Sequence, residues 1–170
     1  MNEDDLRIVG LSEITSCTNP TLLYVSYFYQ ISKYKNPPAN MGDIQRRYVT
    51  NKHTPLSVVV DILKNPLDEY IPLAIAEDAN SSRERLLAVM NSPMSTSTLA
   101  LIKSMCKNRN LTTEDLYNWA VRKQELFITE YLFITRSEEM NLLTLKLTDL
   151  RYSELEALSI PMKHKLLGLA

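Results

Sequence analysis

The chain has 170 residues, 45% hydrophobic and 23% charged, with a net charge of −1. That is ordinary usage for one globular domain and excludes bulk disorder and fibrous repeats. The three glycines, Gly10, Gly42 and Gly168, disfavour turn-rich β folds and the glycine cradles of Rossmann and P-loop nucleotide sites.

The N-terminus, MNEDDLRIVG, is acidic where a signal peptide needs a basic, then apolar, start. The most apolar windows, Leu22–Ile31 and Leu126–Ile134, fall short of the roughly 20 residues of a membrane span. A soluble, cytoplasmic protein without membrane attachment is expected. Punctuation comes from Asn19-Pro20, Asn36-Pro37-Pro38, Thr54-Pro55, Asn65-Pro66, Ser92-Pro93 and Ile160-Pro161, where proline suits a helix start and not its interior. Between the breaks, apolar residues recur at helical spacing. The series runs Leu22, Val25, Phe28 or Tyr29, Ile31; then Val59, Ile62, Leu63; Leu86, Leu87, Val89, Met90; Leu99, Ile102, Met105 or Cys106; and Leu116, Trp119, Ala120. Ser81-x-x-Glu84, Thr112-x-x-Asp115 and Ser153-x-x-Glu156 have capping-box form. Without a breaker before Ser137, the stretch from Thr113 reads as one long helix of about 20 residues. The β propensity of Leu126-Phe127-Ile128-Thr129 and the alternation of Leu143, Leu145 and Leu147 keep strand open for residues 126–148. Helix is preferred, because a lone strand has nothing to pair with.

An internal repeat runs through the middle. At an offset of 27, Ile44 meets Ile71, Tyr48 meets Ile75, Val49 meets Ala76 and Asn51 meets Asp78. Thr54-Pro55 then meets Ser81-Ser82, and Val59, Ile62 and Leu63 meet Leu86, Val89 and Met90. A shorter pattern of Asn or Asp, a small or Pro residue, then Val or Leu begins at Asn51, Asp78, Asn91 and Asn108. In it the polar residue ends one helix and the small residue starts the next. A two-helix unit cannot bury its apolar face alone, so stacking of about three or more units is required.

Residues 43–90, with Arg46, Tyr48, Val49, Asn51, Thr54-Pro55, Val59 and Leu63, resemble the leucine-rich repeat variant, a HEAT-like helical repeat. The likeness extends to about residue 116 and departs from the pattern at Ile71-Pro72-Leu73, where the usual arginine is absent. It implies an α-solenoid fragment whose usual role is protein binding, with no catalytic residues. No N-terminal cysteine cluster accompanies it, so no iron–sulfur centre is implied. The expected architecture is all-α: short antiparallel helix pairs stacked as a compact HEAT-like solenoid in a single domain, 1–170. Residues 1–42 would supply capping helices, 43–116 the repeats and 117–170 the C-terminal helices.

Candidate sites follow from residue type. Tyr24, Tyr27, Phe28, Tyr29 and Tyr34 crowd one segment, and tyrosine is amphipathic and favoured at interfaces. Lys33, Lys35, Arg46, Arg47 and Lys52 form one basic band; Arg83, Arg85, Lys103, Lys107 and Arg109 form a second. Tyr27, Tyr34, Arg46 and Arg47 are therefore the candidates for gripping a protein partner. Arg46, Arg47, Arg83, Arg85 and Lys107 would serve an alternative role, phosphate contact in a nucleic-acid-binding helical-repeat protein. A near-neutral chain argues against the second role. Asp61, Asp68, Glu69, Glu77 and Asp78 have no His, Lys or Tyr partner at reactive spacing and read as a solvated face on loops and outer faces. Cys106 lies on an apolar stripe, remote in sequence from His53 and His164. No catalytic residue, metal site or cofactor is expected.

Overall fold

The computed structural model describes residues 11–33 and 41–155, and every regular element among them is an α-helix. In chain order these are α1 (Leu11–Ser16), α2 (Pro20–Lys33), α3 (Met41–Thr50), α4 (Leu56–Lys64), α5 (Tyr70–Glu77), α6 (Arg83–Met90), α7 (Leu99–Lys107), α8 (Thr113–Lys123), α9 (Leu126–Thr135) and α10 (Ser137–Leu155). The all-α class is therefore as expected, and residues 126–148 are helical apart from Arg136.

Most helix starts are chemically marked. Asn19 Oδ1 accepts from the N–H groups of Thr21 and Leu22 ahead of α2. Ser82 and Thr98 cap α6 and α7 through their hydroxyls. Thr112 and Asp115 form a reciprocal capping box on α8. Two expected boxes shift. Ser82, not Ser81, caps α6, because the Ser81 hydroxyl donates instead to the Ile75 carbonyl. Ser153 lies inside α10 rather than at a helix start.

The single long helix expected from Thr113 is broken. Gln124 adopts the left-handed conformation at φ 54°, and its N–H and that of Glu125 turn back to the carbonyls of Val121 and Ala120. Glu125 then caps α9 by accepting from Phe127 N–H. A glutamine in this conformation is uncommon, which is why the sequence carries no visible breaker.

Odd-numbered helices pack consecutively, α1 on α3, α3 on α5, α5 on α7 and α7 on α9. In the second row, α4 packs on α6 and α8 on α10, while Arg83 and Arg122 tie α6 to α8 through Asp115 and Asn91. The core lies between the rows. Val59, Ile62 and Leu63 of α4, Leu86, Val89 and Met90 of α6, and Leu116, Trp119 and Ala120 of α8 are all buried at equivalent turns. The 27-residue alignment thus places its apolar residues correctly. The pattern at Asn91 is not a further copy: Asn91 ends an even-numbered helix, on the opposite edge from Asn51, Asp78 and Asn108.

Candidate functional site

The most ordered polar chemistry runs along the edge where odd-numbered helices pass into even-numbered ones. In the loops beginning at Asn51, Asp78 and Asn108, the side-chain Oδ1 accepts from the N–H two residues on. The carbonyl of the same residue accepts from the N–H three residues on. Each loop is then plugged from elsewhere. Arg85 donates to the carbonyls of Val49, Asn51 and Thr54 at 2.7–2.9 Å. Arg136 donates to Cys106, Asn108 and Leu111 at 2.7–2.9 Å, the same relative positions two units later. Asn108 Nδ2 donates to Ala76 and Asp78, and Asn110 Nδ2 to Ala79 and Ser81. Asn51 Nδ2 donates to Ile14 and Cys17.

Burial pushes both the Arg85 and Arg136 guanidinium groups below the usual arginine range. The carbonyls in return receive charge-assisted bonds that water cannot supply. These residues hold the array together and are not offered to a ligand. Sequence reasoning missed Arg136 entirely. The available signal was that loop 106–111 copies the spacing of loop 49–54 and so presents the same carbonyls.

Of the residues expected to grip a protein, Tyr27 is in the core. It is 2% exposed, its ring packs edge-on against Tyr48 at 5.2 Å, and its hydroxyl donates to Asp61 at 2.8 Å. Desolvation and that carboxylate raise its pKa. Tyr27 therefore fastens α2 to α4, because its position on α2 shares the buried face with Leu23, and Asp61, expected to lack a tyrosine partner, gains one because α2 packs across α4. Tyr34 lies outside the described residues. Arg46 is exposed, with its guanidinium carbon 5.7 Å from the Tyr70 ring centroid. Arg47 is half-buried and pairs with Asp43 at 3.2 Å.

Most of the second basic band is engaged internally. Arg85 is buried as described, which removes it from any phosphate-binding surface. Arg83 makes a two-pronged contact with Asp115 at 2.7 and 3.0 Å, which holds the Asp115 carboxyl below its ordinary value. Arg109 pairs with Glu139 at 3.2 Å, and the Lys103 ammonium lies 5.8 Å from the Tyr131 ring centroid. Lys107 is exposed beside Arg109 and Glu77 at a shallow depression of about 330 Å³ between α5 and α7.

Cys106 is fully buried and its thiol is pushed up to about 12 by desolvation, the reverse of what activates a nucleophile. Among the described residues no group of three or more His, Cys, Asp or Glu is placed to hold a metal ion. Nor is any described helix long and apolar enough to cross a membrane.

The feature the sequence did not single out is the apolar surface of the last three helices. Leu126 is 77% exposed and Ile134 76% on α9, and Phe133 of the same helix is 43% exposed. Val121 of α8 and Leu142 and Leu145 of α10 are exposed as well. α9 is apolar nearly all round, so a helix buried only through Ile128 and Leu132 leaves its opposite side facing water. Compared with known proteins, the chain matches no family model, no curated sequence and no solved structure.

Proposed function

We propose that the chain is a HEAT-like α-solenoid that binds another protein in the cytoplasm and catalyses no reaction. The observation carrying this reading is the contrast between the two side-chain classes that a partner would use. Much of the second basic band is engaged within the protein, through Arg83, Arg85 and Arg109, whereas Leu126, Phe133 and Ile134 of α9 are left exposed. Exposed apolar side chains concentrated on the last helices of an otherwise well-buried array support a protein interaction site there. The alternating rows of helices and the equivalent loops at Asn51, Asp78 and Asn108 support the solenoid reading. Two free cysteines suit a reducing compartment. Arg46 and Arg47 remain candidates for a rim contact, and Tyr27 no longer does.

Affinity purification with and without nuclease tests this, with wild type beside the Leu126→Asp/Ile134→Asp and Arg46→Ala/Arg47→Ala pairs. The expected result is a protein partner that survives nuclease and is lost with the apolar pair. Strong binding to generic DNA or RNA that collapses between about 50 and 200 mM salt would overturn it in favour of nucleic acid.

A further inference from the structure

α10 carries apolar residues on two faces. Met140, Leu143 and Leu147 lie toward α8 and α9, where Met140 is buried and the two leucines are half-buried. Leu142 and Leu145 point the other way and are exposed. Glu138 and Lys146 share that outer face with them, because residues three and four apart are neighbours on a helix surface. Both are exposed, and neither forms an ion pair among the described residues. They are too far apart to pair with each other, at about 12 Å along the helix axis. Glu139, the other acid of this turn, is taken up within the chain by Arg109 and Thr113. Glu138 is therefore the acid left for an outside contact.

The order of these groups is its own complement. Leu142 has an acid four residues before it and a base four residues after it. When α10 is laid antiparallel on the α10 of a second copy, with the two-fold axis at Leu142, Glu138 of each copy falls opposite Lys146 of the other. Leu142 meets Leu142 at the axis, and Leu145 packs beside it one turn away. A parallel arrangement sets Glu138 against Glu138 and Lys146 against Lys146, which like charge opposes. We propose that the outer face of α10 is the two-fold interface of a homodimer, with Leu142 on the axis and a Glu138–Lys146 ion pair on either side. Two exposed leucines per copy make a small contact, so dissociation is expected at about 10–100 μM. The proposal goes beyond the protein-partner reading and does not rest on it. Leu126 and Ile134 of α9 remain for a different protein, and purified protein alone tests the dimer.

Sedimentation equilibrium of the full chain, run from well below to well above that range, reads the dimer directly. Glu138→Lys and Lys146→Glu should each weaken it at least about tenfold, because each sets two like-charge contacts across the axis. Combined in one chain, the two reversals restore opposite charges at both contacts and should bring dissociation back to within about threefold of the unsubstituted protein. Leu142→Asp should abolish the dimer and leave the helical circular dichroism unchanged, since this side chain already faces water. A monomer at every concentration would overturn the inference. In that monomer, slow alkylation of Leu142→Cys would assign the face to another part of this chain, and fast alkylation would leave it to a different protein. A dimer indifferent to the single reversals, or one that the double reversal fails to restore, would overturn it as well, since the contact would then lie elsewhere on the surface.

Discussion

The two edges of the helical array are built on different principles. On one edge the connections after α3, α5 and α7 share the same turn, and each is plugged by a side chain from about 30 residues later in the chain. On the other edge the connections after α4, α6 and α8 differ in length and share no plug. There Gln45 accepts from Leu67 N–H, the Ser92 hydroxyl donates to Leu63, and Arg122 reaches Asn91 across the surface. Fixing one edge sets the stacking of neighbouring helices, because each helix is rigid and carries that geometry to the far side. The regular edge is thus where stability concentrates, and the irregular edge is where length can vary.

The largest effect is expected at the two buried arginines. Arg85→Ala and Arg136→Ala each remove the guanidinium bonds to three buried carbonyls, so each should cost about 3–5 kcal/mol in urea unfolding or prevent folding. Arg122→Ala on the other edge should cost under about 0.5 kcal/mol, and equal losses would erase the contrast. Asn51→Ala and Asn108→Ala come next, at about 1–3 kcal/mol each, since one amide serves two carbonyls. Ser92→Ala, the best-formed bond of the irregular edge, should cost about 1 kcal/mol. Thr112→Ala, which removes the capping box of α8, should cost a similar ~1 kcal/mol.

A pH titration sharpens the same point. Arg83 holds the Asp115 carboxyl below its ordinary value, so this carboxylate contributes its full stabilisation above about pH 4. That contribution is lost as pH falls from there through the depressed folded-state value. Asp115→Asn should flatten the stability curve in this acid window, and an unchanged curve would show that the pair adds nothing. The smallest effect is expected at Leu126→Asp and Ile134→Asp, within about 0.5 kcal/mol, because both side chains already face water.

Much of the fold was legible, for a local reason. The helical period, the Asn and Pro punctuation and the 27-residue offset each depend on neighbours within a few turns. They placed Val59, Ile62, Leu63, Leu86, Val89 and Met90 on buried faces. The candidate site was less legible. Tyr27 and Tyr24 are both tyrosines of one helix, yet one is in the core and the other is exposed. Arg83 and Arg85 belong to one charge run, yet one pairs at the surface and the other is buried. Composition cannot separate such neighbours, because their fates depend on what packs against each face of the helix.

By itself, the sequence determined the all-helical class and the spacing of the buried residues, since hydrogen bonding within a helix and its apolar stripe are set by residues three and four apart. Tertiary structure alone decided that Asn51, Arg85, Asn108 and Arg136 would be spent on loop carbonyls 25 to 37 residues distant. It also decided that Gln124 would break the helix after α8. Buried carbonyls must find donors wherever the fold brings them, and which donor arrives depends on the stacking of whole helices, which no local pattern records.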